Sequence, residues 1–283
     1  MGERRPARFR RPCVLVVSLL AGAARVAFSQ PAFPGQWAPT PPEWKYPVWP
    51  SGCERFEGEE RRGCLELVAH DYGTLARFAA ANAALPAAQP VEQRVVFFGD
   101  SITDNWSAPG YGGFFPGRPY LNRGIGGQTT SQMLLRFRAD VVTLRPKAVV
   151  ILAGTNDIGG NGGPVALGVV EDNLASMAEL AQSHGIRVVL ASLLPVSDDK
   201  KGADGRPLLW VHDHPLETLR GLNSWIAEYA RANHHVYLDY FSATADPRGC
   251  LRPDLTDDGL HPNAAGYAVM APLAEQAIVQ AFR

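Results

Sequence analysis

The chain carries no surplus of charge. Its 27 Lys and Arg against 28 Asp and Glu leave a net charge of −1. Six of those arginines but only one of the acids fall in residues 1–29, so the remainder carries 21 cationic against 27 anionic side chains. A mildly acidic body is a poor binder of nucleic acid or anionic membrane, and neither is an expected partner. Long apolar runs are also missing: nothing approaches the roughly 20 residues that cross a bilayer, so no stable membrane insertion is expected. Cysteine is sparse, at four residues in 283, and the spacing fits no zinc pattern. There is no internal repeat, which excludes solenoid and propeller architectures.

What is present is globular. The hydrophobic fraction is 46% and the charged fraction 19%, values that exclude wholesale disorder. A length of 283 residues suits one domain of ordinary α/β size plus an extension. The extension begins as an export signal over residues 1–29. Arg4, Arg5, Arg8, Arg10 and Arg11 form a basic region, Cys13 to Ala24 an apolar one too short to span a membrane, and Ala27-Phe28-Ser29 a small-residue cleavage site. An uncleaved interfacial anchor is the alternative, and the paired arginines leave the export route open. Cys13 opens the apolar run instead of following it, and so does not sit where a lipid would be attached. Cleavage would place the chain in the periplasm or outside the cell, where disulfides form. Cys53 and Cys64, close in sequence, are then the expected pair and Cys250 the odd thiol; three free thiols is the alternative.

Residues 30–92 read as an N-terminal arm followed by a helix. From Gln30 to about Ser51 the chain is rich in Pro and Trp without periodicity, an extended arm. Trp37, Trp44 and Trp49 anchor it to the domain or form a sugar-binding strip. Residues 63–84 have helical spacing, with Leu65, Leu67, Val68, Tyr72, Leu75 and Phe78 on one face, and Pro86 and Pro90 closing the segment.

Residues 93–283 form the main domain. Apolar runs at Arg94–Phe98, Tyr120–Asn122, Ala148–Ala153, Ile186–Leu194 and His235–Tyr240 read as strands. Thr129–Leu144, Pro164–His184, Glu217–Ala232 and Asn263–Phe282 read as helices. This alternation predicts the α/β class: a three-layer, flavodoxin-like sandwich with a parallel five-stranded sheet and helices on both faces. Ser197–Pro215 is a polar insertion long enough to be a binding loop.

The chemistry gathers after the strands. The first strand stops at Gly99-Asp100-Ser101, placing a hydroxyl where open α/β sheets put their sites. Near the C-terminus Asp258 and His261 stand three positions apart, before the last helix. Serine, imidazole and carboxylate are the parts of nucleophilic acyl transfer. After the second strand, Asn122-Arg123-Gly124-Ile125-Gly126-Gly127 opens a helix, and its glycines let backbone N–H groups approach a ligand. After the third, Gly154-Thr155-Asn156-Asp157 offers an amide donor. Ser101, Gly127 and Asn156 together supply what an oxyanion hole needs. Each has a plainer reading: Ser101 or Asn156 as a helix cap, Gly127 as a turn glycine, Asp258 and His261 as a surface turn. His212 and His214 have H-x-H spacing, but no carboxylate-rich strand supports a metal there and a solvated loop is expected. His234 and His235 are expected at the surface. A G-x-S-x-G elbow is absent around Ser101, which argues against the α/β-hydrolase fold.

The four blocks in order resemble the SGNH, or GDSL-type, hydrolase superfamily, named for a Ser, Gly, Asn and His. Here these are Ser101 in G-D-S, Gly127 in N-R-G-I-G-G, Asn156 in G-T-N-D, and His261 with Asp258 in D-G-L-H-P. The wording G-D-S-I-T, G-T-N-D and D-G-L-H-P-N is similar to the branch holding platelet-activating-factor acetylhydrolase-like, lysophospholipase-like and carbohydrate-esterase-like proteins. The resemblance runs from residue 93 to the end, about two-thirds of the chain, and leaves the arm unexplained. It implies a serine ester hydrolase with no metal or organic cofactor and leaves the substrate open. With the export signal and the polar insertion, the expected function is an exported esterase cutting short acyl groups such as acetyl from carbohydrate or small-molecule alcohols. A lysophospholipase is the alternative within the same chemistry, and a non-catalytic glycan-binding protein the alternative of another class.

Overall fold

The computed structural model describes residues 57–88, 93–202 and 204–283. The expected export signal, the Pro/Trp-rich arm and Cys53 lie outside these residues, as does the Cys64 side chain, and so does the pairing expected of the two cysteines. In chain order the helices are α1 (Gly58–His70), α2 (Ala79–Ala84), α3 (Ser101–Asp104), α4 (Thr130–Asp140), α5 (Thr155–Ile158), α6 (Leu167–Ser183), α7 (Trp210–Asp213), α8 (Leu216–Ala232), α9 (Tyr240–Thr244) and α10 (Ala264–Ala281). The strands are β1 (Val95–Gly99), β2 (Tyr120–Gly124), β3 (Ala148–Leu152), β4 (Arg187–Ala191) and β5 (Val236–Leu238).

All five strands are parallel, in the order β2-β1-β3-β4-β5. This is the flavodoxin order, whose ligand crevice opens outside the carboxyl ends of β1 and β3, where the winding direction reverses. β1 and β3 are buried at every position, as strands covered on both faces must be. One covering layer is α4, α6 and α8, each packed on the next, while α10 lies against β3, β4 and β5. Register puts Gly99 opposite both Gly124 and Leu152. The loops after β2, β1 and β3 therefore leave the sheet level with one another. That alignment brings three sequence blocks into one crevice.

Helix ends follow local chemistry. Thr129 and Gln132 form a reciprocal capping box at the start of α4. Asn263 caps α10 by accepting the Ala265 and Gly266 N–H groups. The single helix expected over residues 63–84 is instead two. After α1 the Asp71 carboxylate accepts the Leu75 and Ala76 N–H groups at 2.7 and 2.9 Å, and Thr74 turns to φ 54°. A carboxylate that takes backbone donors ahead of it competes with helix continuation. Leu65 and Leu75, placed on a buried face by their spacing, are exposed. The helix expected to run to Leu144 ends at Asp140, with a 3-10 turn over Val142–Leu144 and Arg145 in the left-handed region.

Candidate active site

β1 delivers Ser101 through one capping residue. The Asp100 side chain accepts the Ile102 N–H at 2.9 Å, so Asp100 caps α3 and Ser101 is its first residue. The serine hydroxyl is thus not spent on a cap. Its Oγ lies 2.9 Å from His261 Nε2, and His261 Nδ1 lies 2.6 Å from Asp258 Oδ2. Asp258 Oδ1 also accepts the N–H groups of Leu260 at 2.9 Å and His261 at 2.8 Å. Burial works to raise the Asp258 pKa, but these bonds, led by the one from His261, outweigh it and hold the carboxyl well below its ordinary range. An ionised carboxylate only accepts, so Nδ1 carries the imidazole proton. Nε2 of the neutral ring is then the lone pair that faces the Ser101 hydroxyl. From the far side the Tyr267 hydroxyl of α10 donates to the Ile102 carbonyl at 2.8 Å, tying the helix after His261 to the helix of Ser101.

The loops after β2 and β3 close the crevice. A Cβ built on Gly126 would lie 3.7 Å from the Ser101 Cβ, which puts Gly126 beside the serine. Gly127 adopts φ +78°, a setting that favours glycine, and among the described residues no acceptor engages its N–H. Asn156 does not cap α5; Gly154 holds that position. The Asn156 amide nitrogen instead donates to Asp100 Oδ2 at 3.2 Å and to the Gln128 carbonyl at 3.1 Å. Both bonds are longer than the common N–H···O distance of about 2.9–3.0 Å. Its Oδ1 accepts from Asn161 Nδ2 at 2.7 Å.

Beneath the crevice lies a buried polar floor. The fully buried Arg136 guanidinium donates to Gln128 Oε1 at 2.5 Å, Arg123 O at 2.9 Å, Gly99 O at 3.0 Å and Asp140 Oδ2 at 3.2 Å. It therefore joins the ends of β1 and β2 to the loop that receives Asn156. Burial lowers its pKa to about 10, with Asp140 pulling the other way, so it stays charged. Asp157 accepts from the Thr130 N–H and hydroxyl, which fixes the α5 turn to the start of α4. Asp100 is buried, and burial pushes its carboxyl up from 3.8 to about 6 against the pull of the Ile102 N–H and of His261.

Sequence reasoning missed two residues here and misread a third. Trp210, on α7 within the polar insertion, donates its indole N–H to the Asp258 carbonyl at 2.7 Å. The same insertion gives the Ser197 N–H to the Gly259 carbonyl at 2.8 Å. The only signal in the sequence is the apolar cluster Leu208, Leu209 and Trp210 in an otherwise polar stretch. Asn161 is the second, bonded to both Gly127 and Asn156. His214 is not a solvated loop residue. It is 5% exposed, its Nδ1 is 3.1 Å from the Trp210 carbonyl, and a Cβ on Gly159 would come within 2.5 Å of its Nε2. The insertion folds back onto the Asn156 loop, which buries the ring and lowers its pKa. His212 and His234 are exposed, while His235 is half-buried.

Comparison with known proteins gives the family and the fold. The model of the GDSL-like lipase/acylhydrolase family matches residues 97–269, and the chain belongs to that family. A GDSL-like lipase of Bacteroides thetaiotaomicron VPI-5482 is 40% identical and superposes with a TM-score of 0.67 over 74% of this chain and 99% of its own. A candidate acylhydrolase of Bacteroides fragilis NCTC 9343 is 39% identical, with a TM-score of 0.68 over 75% of this chain and 99% of its own. Among curated proteins, an uncharacterized lipoprotein of Bacillus subtilis is 42% identical over 79 residues, 27% of this chain. The chain matches about a third of that relative's length, 32%. An acetylxylan esterase of Geobacillus stearothermophilus, at 20% identity and a TM-score of 0.53, shares the fold.

Proposed function

We propose that the chain is an exported serine esterase that removes short acyl groups, such as acetyl, from carbohydrate or small-molecule alcohols. The observation that carries this reading is the hydrogen-bond chain from Ser101 Oγ through His261 to Asp258, at 2.9 and 2.6 Å. His261 Nε2 takes the Ser101 proton as Oγ attacks the ester carbonyl. Asp258 holds the tautomer and stabilises the imidazolium. The oxyanion is received by the Ser101 and Gly127 N–H groups and by the Asn156 amide, whose two protons each make one long bond, to Asp100 and to Gln128, that a developing charge can share. The imidazolium then protonates the departing alcohol. Water, deprotonated in turn by His261, releases the acid from Ser101.

A short acyl group is favoured because the insertion beside Asp258 is mostly polar; its exposed large apolar residue is Leu209. Export rests on the basic and apolar N-terminal pattern, and a relative named as a lipoprotein agrees with it.

The test is turnover of p-nitrophenyl acetate and of its long-chain homologues by the wild type and Ser101→Ala. Loss of all but a trace of kcat in the variant, with phosphonate labelling of Ser101 alone, is expected. Retained turnover in Ser101→Ala would sink the reading. Preference for long chains would make the enzyme a lipid acylhydrolase, and inertness of the wild type toward every ester would leave a binding protein.

A further inference from the structure

Asn161 lies in the turn after α5, three residues beyond Ile158 and six before α6 begins at Leu167. Its side-chain nitrogen donates to the Gly127 carbonyl at 3.1 Å and to Asn156 Oδ1 at 2.7 Å. Its own N–H donates to the Asn156 carbonyl at 2.9 Å, which anchors the turn. The Gly127 carbonyl can only accept, so the nitrogen end of the Asn161 amide must face it. That nitrogen then meets Asn156 Oδ1 and turns the Asn156 nitrogen toward Asp100 and Gln128. The Gln128 carbonyl, also an acceptor only, demands the same orientation. A flipped Asn156 would set N–H against N–H and carbonyl oxygen against carbonyl oxygen, leaving part-buried groups unpaired.

We infer that Asn161 is a positioning residue for the oxyanion site, a single amide that holds the acceptor atoms of two of the three residues whose N–H groups serve it. It joins the loop after β2 to the loop after β3. This rests on the assignment of Gly127 and Asn156 under Proposed function. The physical need is clear at Gly127. A glycine at φ +78° has no side chain to restrain it, and a Cβ built there would meet nothing closer than Asn161 Nδ2 at 3.8 Å. A donor that must wait in place for a developing charge gains most from being fixed beforehand. The neutral, donor-only face that Asn161 turns to both partners supplies that restraint without adding charge beside the oxyanion.

The isosteric variant Asn161→Asp separates positioning from packing. It keeps the shape, replaces a shared donor by an acceptor, and sets a negative charge against two acceptors. Asn161→Ala removes the donor alone. With p-nitrophenyl acetate we expect kcat to fall about tenfold in Asn161→Ala and about a hundredfold or more in Asn161→Asp, with KM within about twofold. Affinity for a trifluoromethyl ketone, which forms the tetrahedral adduct, should fall in parallel with kcat/KM. The loss caused by Asn161→Ala should shrink in an Asn156→Ala background, since one of its two targets is gone. Thermal melting of each variant establishes that it is folded; if Asn161→Asp does not fold, the Asn161→Ala series decides alone. Unchanged kcat in the folded variants, or an equal fold-loss with and without Asn156, would overturn the inference. Ser101→Ala measured alongside keeps the two levels apart. Activity in Ser101→Ala overturns the esterase reading itself, whereas an inert Ser101→Ala beside fully active Asn161 variants overturns only the role of Asn161.

Discussion

Trp210 donates its indole N–H to the carbonyl oxygen of Asp258 across 2.7 Å, although 48 residues separate them in the chain. The insertion thereby grips the backbone of the Asp258–His261 turn from outside. Trp210→Phe keeps an aromatic ring, smaller by the pyrrole, and removes the donor. Its expected effect is a fall in kcat of about tenfold with little change in KM, and a stability loss of about 1 kcal/mol, the ordinary net value of one hydrogen bond. Steady-state kinetics beside urea melts would show it. A rise in KM at constant kcat would instead make Trp210 a substrate contact.

Gly259 is where that grip leaves no room for a side chain. Its φ is +89°, and a Cβ would fall 2.2 Å from the Ser197 carbonyl and 3.1 Å from the Trp210 ring. Gly259→Ala must open the turn or push the insertion away. Expected are a destabilisation of about 1–3 kcal/mol and a loss of activity out of proportion to it, because Asp258 and His261 flank the site. Wild-type turnover in Gly259→Ala would show that the turn has slack that these contacts deny.

Asp100 gives the fold an acid-side signature. Its carboxyl titrates near 6 when folded, against 3.8 as the ordinary value. Between those two values the folded chain holds a proton that the unfolded chain has released. Its contribution to stability is therefore full below about 4 and is lost as pH rises through about 6, a cost of about 2–3 kcal/mol at neutral pH. Asp100→Asn removes the titration. Melting temperatures of variant and wild type from pH 4 to 7 should diverge in the variant's favour as pH rises, on top of any constant offset from the altered contact with Asn156. A pH-independent difference would refute this.

Asp258 should behave oppositely. Its carboxyl is held well below the ordinary range. The stabilisation it brings is present above the unfolded value of about 3.9 and disappears only as pH falls through the lower folded value. Asp258→Asn, unable to stabilise the imidazolium and free to hold the wrong tautomer, should keep the fold and cut kcat by about a thousandfold or more. A modest loss there beside a large one in His261→Ala would give the orienting role to a backbone carbonyl instead.

Much of this molecule can be read along the chain. Val95–Gly99 and Ala148–Leu152 are apolar throughout, and a run of that kind bounded by turns has few places to go except a covered parallel strand. The sharp ends of those runs locate the loops, and residue type there announces the chemistry: a serine after β1, an amide after β3, a carboxylate and an imidazole before α10. Hydrophobic periodicity and motif order are local properties, so they survive without coordinates. Periodicity failed where a single side chain intervened, as when Asp71 took two backbone donors and split the helix expected over 63–84.

Tertiary structure alone decided how the chemistry is held. Asp100 rather than Ser101 caps α3, which frees the hydroxyl. Asn161 reaches Gly127 across 34 residues, and His261 reaches Ser101 across 160. His214 is buried only because the insertion returns to Gly159. Such contacts depend on which loops the strand order β2-β1-β3-β4-β5 sets side by side, and on a register that levels Gly99 with Gly124 and Leu152. A sequence states which donors and acceptors exist. Their pairing follows from distances between segments, which no local pattern contains.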